Sequence, residues 1–192
     1  SASPYTFKKL ELRSKVSSFA AKYLQVPLIY VNQIGANDNL IFDGNSFILD
    51  KNGSKIKQLK SFSEDLSSWH IEQTIPEKKE FEQSEISSIF DALVLGVRDY
   101  AQKCGFKTAL IGLSGGIDSA LVSAIATAAL GSNNIYCVSM PSKWSSSHSK
   151  SDAKDLARRL KINFNSIPIE NLMNSFEESF IKTISFEMAE IT

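Results

Sequence analysis

Ser114-Gly115-Gly116-Ile117-Asp118-Ser119 is the stretch of this chain best equipped for chemistry, and the chemistry it suits is holding phosphate. Gly115 and Gly116 lack the Cβ atoms that would keep an anion away from the backbone. Ser114 and Ser119 can each add a hydroxyl donor. Asp118 is the odd member, because a carboxylate repels phosphate unless a cation stands between them. It reads as a Mg²⁺ ligand, with an acidic residue placed to suit a helix N-terminus as the plainer alternative. No Lys-Ser or Lys-Thr pair follows the glycines, so the string is not a Walker A loop.

The flanking residues supply the elements that must position this loop. Thr108 to Leu113 is a near-continuous apolar run, which predicts a central parallel strand covered on both faces. From Asp118 onward, Ala120, Leu121, Val122, Ala124, Ile125, Ala126, Ala128, Ala129 and Leu130 run almost all round a helix. That predicts a buried helix stopped by Gly131. The first N–H groups of such a helix have no intrahelical partner, and its macrodipole adds partial positive charge where the loop lies.

The pattern continues on both sides. Ser84 is an N-cap candidate for a helix through about Lys103, with Ile86, Ile89, Phe90, Leu93, Val97, Tyr100, Ala101 and Cys104 on one face and Gly105 as its stop. Ile135 to Met140 reads as a second strand, followed by the serine-rich loop Trp144 to Ser149. Ser149 or Ser151 then caps a helix carrying Ala153, Leu156, Ala157 and Leu160. Ile162 to Ile167 reads as a third strand, and a further helix starts near Glu170. Strands alternating with helices imply a doubly wound parallel sheet with ligands at the strand carboxyl ends.

The first third is organised differently. Leu12, Val16, Phe19, Ala20, Tyr23 and Leu24 step by three and four, predicting a helix from about Lys8 to Gln25 with that face inward. Lys8, Lys9, Arg13, Lys15 and Lys22 form its solvated side. Pro27 ends it, and Leu28 to Val31 is a short strand. Gly35 to Asn39 is turn chemistry, Phe42 to Asp50 reads as one strand, and Asn52-Gly53 as a hairpin turn into a strand over Ile56 to Leu59. A last extended piece includes Trp69 and Ile71. This part suits the tail of a larger α/β domain. Thr74 to Gln83 is charged, contains Pro76 and lacks apolar periodicity, so it reads as a linker between residues 1–73 and 84–192.

Composition sets the outer limits. In 192 residues the 21 basic and 21 acidic side chains cancel, which argues against a nucleic-acid partner. No apolar run approaches a membrane span and no signal peptide is visible, so a cytoplasmic protein is the default. Cys104 and Cys137 lie on apolar patterns and read as buried reduced thiols. His70 and His148 are isolated and read as surface or hydrogen-bonded residues.

At SGGIDS the residues resemble the pyrophosphate loop of the N-type ATP pyrophosphatases. Met140 to Leu160, MPSKWSSSHSKSDAKDLARRL, is similar to a stretch of NAD synthetases, and Val26 to Gly53 resembles the last part of the nitrilase-like glutaminase domain in glutamine-dependent NAD synthetases. The resemblance implies an α/β chain with two parts. The first is the C-terminal part of a nitrilase-like sandwich. The second is an incomplete doubly wound domain of the adenine nucleotide alpha hydrolase type.

It implies ATP and Mg²⁺ bound through Gly112, Leu113, Ser114, Gly115, Gly116, Ile117, Asp118 and Ser119, with Asp118 on the metal. Met140 lies near the adenine by the same resemblance, with a core methionine as the alternative. Ser142 lies near the ligand or serves its loop, Lys143 reaches phosphate or solvent, and Trp144 anchors the loop by packing. Phe164, Phe176, Phe180 and Phe186 read as core or as surface that has lost a partner.

Ser3 and Lys9 match positions that touch glutamine. The Cys-Glu-Lys catalytic set of the glutaminase is expected upstream, so no catalytic residue is assigned within this chain, which reads as an internal fragment. Its partners would be nicotinate adenine dinucleotide and glutamine or ammonia, in a homo-oligomer. Another ATP pyrophosphatase amidotransferase or thiolase, and a non-catalytic nucleotide-binding module, are the alternative readings.

Overall fold

The computed structural model describes residues 1–72 and 84–184. The predicted linker over 74–83, Phe186 and the terminal residues 190–192 lie outside the described residues. The chain divides into two compact units, Ser1–Phe106 and a second beginning at Lys107. The boundary by contacts therefore falls after the helix that opens at Glu85, where the sequence reading placed it before Ser84.

The first unit contains α1 (Lys9–Leu24), β1 (Leu28–Tyr30), β2 (Ile34–Asn37), β3 (Leu40–Asp43), β4 (Phe47–Leu49), β5 (Lys55–Gln58) and α2 (Glu85–Cys104). Strands β1, β4 and β5 form an antiparallel sheet in that order, and β2 and β3 form a separate antiparallel hairpin. The Asn52-Gly53 turn joins β4 to β5 as expected. Elsewhere the strand reading needs correction. Gly35 to Asn37 is strand, and only Asp38, in the left-handed region at φ 51°, and Asn39 make the turn. Phe42 to Asp50 is broken by Gly44 at φ 64° and Asn45 at φ 51°, so β3 and β4 join different partners. Trp69 and Ile71 lie in no strand.

Helix α1 packs with the opposite face inward. Arg13, Ser17 and Ala21 are buried, whereas Leu12, Val16, Phe19, Tyr23 and Leu24 are exposed. Small side chains let the helix backbone approach the sheet, where Ala21 meets Phe47 and Leu49 with Leu28 and Tyr30 alongside. Arg13 turns inward because it has a buried partner: Nη1 donates to both carboxylate oxygens of Asp43, at 2.8 and 2.9 Å. A three-four period identifies a face; the face used here is the one that carries the Arg13 ion pair and Ala21. The direct check is chemical denaturation of two variants. Phe19→Lys should change stability by less than about 0.5 kcal/mol, whereas Ala21→Lys, at a fully buried site, should cost more than about 3 kcal/mol.

Helix α2 also turns most of its predicted face outward, with only Ala101 of that face buried and Phe90 half-buried. Ser84 caps it as expected, its hydroxyl accepting the Ser87 N–H at 3.2 Å, and Gly105 ends it at φ 74°. Ala92, Val94, Leu95 and Ala101 are its buried residues, while Ile86, Ile89, Leu93, Val97 and Tyr100 are exposed.

The second unit alternates β6 (Ala109–Gly112), α3 (Ile117–Leu130), β7 (Ile135–Ser139), α4 (Ser147–Leu160), β8 (Asn163–Ser166) and α5 (Glu170–Ile184). The three strands are parallel in the order β6-β7-β8. Thus β7 lies in the middle and β6 at one side of the described three-stranded sheet. Ile111, Ile135, Cys137 and Phe164 meet Ala126 of α3 and Ala153 and Ala157 of α4 on one face. On the other, Leu110 is 75% exposed. Helix α3 is likewise only half covered: Ser123, Ile125 and Ala126 are buried, and Leu121 and Val122 are exposed. Helix α4 is capped by Ser146, which accepts the Ser149 N–H at 3.1 Å, one turn earlier than predicted.

The cysteines differ. Cys104 is exposed at the end of α2, against expectation, because its helix turns that side outward. Cys137 is buried in β7, and burial pushes its thiol up, partly offset by a hydrogen-bond contact with Ser123 at 3.7 Å. Titration with a thiol reagent at neutral pH should label Cys104 at once and Cys137 only on unfolding. Equal labelling rates would contradict the packing of β7. Among the described residues no helix is long and apolar enough to cross a membrane.

Candidate phosphate-binding site

Leu113, directly after β6, is buried with its N–H bonded to the Val138 carbonyl at 2.9 Å, so the loop begins from a fixed point. The two serine hydroxyls then organise it. Ser119 Oγ accepts the Ser114 N–H at 3.3 Å and donates to the Gly116 carbonyl at 3.0 Å. Ser114 Oγ accepts the Gly116 N–H at 3.2 Å and lies 3.1 Å from Ser119 Oγ. The hydroxyls that the sequence suggested as ligand donors are thus engaged in holding the turn.

What they leave open is backbone. Ala120 makes the first helical bond of α3, to Gly116 at 3.1 Å, and the N–H groups of Ile117, Asp118 and Ser119 find no acceptor among the described residues. Ile117 and Asp118 are exposed and Ser119 half-buried, and these donors lie at the positive end of the α3 dipole.

Gly115 has a second reason to be glycine. Its φ is +89°, and a Cβ there would come within 2.9 Å of Ser149 Cα and collide with the Ser149 carbonyl. The first turn of α4 therefore lies directly against the loop, a contact that no string pattern indicates. Gly112 lies under Met140, whose methyl would be 3.6 Å from an added Cβ, and Met140 is 53% exposed. That exposure removes the core-methionine alternative.

The following loop is self-bonded: Ser142 N–H donates to Ser145 Oγ at 3.0 Å, and Ser142 Oγ accepts the Trp144 N–H at 3.2 Å. Lys143 pairs with Glu177 of α5 at 3.4 Å and lies 5.3 Å from the Trp144 ring. Trp144 is 77% exposed and so does not anchor the loop by packing, as the sequence suggested. Phe164 joins the core, and Phe176 and Phe180 stack on each other at 5.8 Å on the exposed side of α5. His70 and His148 are at the surface.

In the first unit, Ser3 belongs to a polar network centred on Asp43. Ser3 Oγ accepts from Arg13 Nε at 3.1 Å, its carbonyl accepts from Arg13 Nη2 at 2.8 Å, and its N–H donates to Asn32 Oδ1 at 2.9 Å. Asn45 Nδ2 completes the site, donating to Asp43 at 2.8 Å. The Ser3 hydroxyl proton is not used in these bonds. Lys9 is half-buried near the start of α1. Sequence reasoning missed Arg13 and Asp43 here; the available signal was an aspartate followed by Gly44-Asn45 inside an apolar run.

A strand, a glycine loop with free N–H groups and a helix start define the second unit as a nucleotide-binding type of α/β unit. Comparison with known proteins makes this specific. The family described as NAD synthase matches residues 89–191. The glutamine-dependent NAD(+) synthetase of Synechocystis sp. is 46% identical over 94% of this chain and 33% of its own length. That of Rhodobacter capsulatus is 37% identical over 99% of the chain and 36% of its length. Among solved structures, the glutamine-dependent NAD+ synthetase of Acinetobacter baumannii in complex with ADP superposes with a TM-score of 0.86 at 35% identity, covering 98% of this chain and 37% of that one. This chain belongs to the NAD synthase family, and it spans about a third of the length of the curated relatives it matches.

Proposed function

We propose that the chain serves glutamine-dependent NAD synthesis, with its glycine loop holding the β,γ-phosphates of ATP while the carboxylate of nicotinate adenine dinucleotide is adenylated. The observation that carries this reading is the β6–α3 junction, where donors lacking partners and a glycine packed on α4 are built into one turn. The N–H groups of Ile117, Asp118 and Ser119 donate to phosphate oxygens, and Met140, beside Gly112, offers apolar surface to the adenine. As a carboxylate oxygen bonds to the α-phosphorus, the bond to the bridging oxygen breaks and pyrophosphate leaves with the electron pair. Charge grows where the backbone donors point. Ammonia then attacks the adenylated carbon and AMP departs.

Mg²⁺ suits this loop. That ion commonly takes one or two carboxylates together with substrate phosphates and keeps several waters, so a single exposed Asp118 is an adequate protein ligand. Among the described residues no group of three or more His, Cys, Asp and Glu forms a closed metal cage. When bound, the ion neutralises phosphate charge.

Residues 1–73 would be the end of a nitrilase-like glutaminase domain, 74–83 a linker, and 84–192 the start of a doubly wound synthetase domain. Ser3 and Lys9 would face glutamine there, within a cytoplasmic homo-oligomer. Isothermal titration with ATP tests the site. Binding should require the folded chain, and Asp118→Ala should weaken it about tenfold with Mg²⁺ and little with EDTA. A folded chain that takes up no ATP in either buffer would refute the assignment.

A further inference from the structure

Helix α2 turns its apolar stripe to solvent and lays a narrower, partly polar face on the β2–β3 hairpin. That face is built turn by turn. A Cβ on Gly96 would lie 3.3 Å from Ile41 Cδ1, so helix and hairpin are in close contact there. One turn on, Asp99 Oδ2 accepts the Ala36 N–H at 2.7 Å. Lys103, a turn further, donates from Nζ to the Ala36 carbonyl and to Asn37 Oδ1. Gly35, at φ +127°, lies under Asp99, where a Cβ would be 3.2 Å from the carboxylate.

Ala36 faces Ile41 in the hairpin register, and its outward N–H and C=O are both taken by one acid and one base spaced i,i+4 on the helix. The edge of β2 is thereby closed. On the other edge, Tyr5 N–H donates to the Ile41 carbonyl at 2.6 Å. Beside these polar contacts Ala92 and Leu95 of the same helix pack with Phe62, Ile34 and Ile41, so apolar burial seats the helix and the acid and base fix its register on Ala36.

The family match begins at residue 89, within this helix, and only residues 105–108 separate α2 from β6, the strand that feeds the phosphate loop. We propose that Asp99 and Lys103 are positioning residues whose clamp on the β2–β3 hairpin couples the use of glutamine to NAD formation. This rests on the glutamine-dependent reading given above.

The test compares glutamine and ammonium as nitrogen sources for the full-length gene product carrying Asp99→Asn or Lys103→Met, with hydrogen exchange followed at the Ala36 amide. Ammonium-supported NAD formation should stay within about twofold of the parent, while glutamine-supported formation falls at least about tenfold and the Ala36 amide exchanges faster. Lys103→Arg, which keeps the charge and a donor, should retain coupling. If Asp99→Asn does not fold, Lys103→Met, at the exposed end of the clamp, carries the same comparison. Equal losses with both nitrogen sources, or faster exchange with neither rate changed, would overturn the proposal. A parent that forms NAD from neither source would instead overturn the functional reading, and the coupling with it.

Discussion

Gly115→Ala should disable the phosphate loop by disturbing its fold, while Gly116→Ala should leave the fold intact and weaken only the binding. At Gly115 the added Cβ meets the Ser149 backbone and must also adopt φ +89°. Left-handed backbone costs about 1–2 kcal/mol and overpacking about 1–3 kcal/mol, so a loss of about 2–5 kcal/mol from the second unit is expected. At Gly116, φ is −84° and the nearest atom to an added Cβ is Ser114 Oγ at 3.4 Å, an ordinary contact. On the proposed reading its methyl would nonetheless stand where phosphate approaches. Thermal unfolding together with ATP titration separates the two effects. A Gly115→Ala protein that melts like the parent would mean that α4 does not rest on the loop.

Arg13→Ala should be strongly destabilising to the first unit. Asp43 is 1% exposed and the Arg13 side chain 5%, so truncating the arginine leaves a carboxylate in the interior with amide partners alone. Removing one member of such a buried pair costs about 3–5 kcal/mol. Arg13→Lys should recover only part, because an ammonium group cannot reproduce the contacts to Asp43, Ser3 and the Pro4 carbonyl together. Replacing both partners, Arg13→Met with Asp43→Leu, should be less harmful than Arg13→Ala, since no charge is stranded. Urea unfolding followed by circular dichroism gives the comparison. Raising salt to 1 M should change the parent little, as screening hardly reaches a buried pair. A double variant no more stable than Arg13→Ala would place the loss in packing.

The loop and the order of elements around it were legible because they depend on local chemistry. Glycines, a helix start and short apolar runs need only neighbours in sequence, and β6, α3, β7, α4 and β8 follow within a few residues. The errors share a different origin. Leu12, Val16 and Phe19, like Ile86, Leu93 and Val97, mark an apolar helix face, yet the inward faces carry Arg13 with its partner Asp43, and Asp99 and Lys103 with their partner Ala36, beside the small apolar contacts of Ala21 and Ala92. Those partners are remote in the chain and polar, so hydrophobic periodicity carries no information about them. The bonds that the loop serine hydroxyls make to each other and to Gly116 are not legible in the string, because these partners become neighbours only once the turn closes. Ser149 lies against Gly115 across an intervening helix and strand, beyond any motif.

The outward apolar stripes of α1 and α2 also bear on calorimetry. Heat capacity rises on unfolding in proportion to apolar surface newly given to water. Phe19, Tyr23, Ile86 and Tyr100 are already 71%, 78%, 82% and 63% exposed in the native state, so they contribute little to that change. The unfolding heat capacity should therefore fall below the roughly 12–15 cal/mol/K per residue usual for globular chains, giving a flatter stability curve and a shallower dependence on urea than the sequence's hydrophobic content suggests.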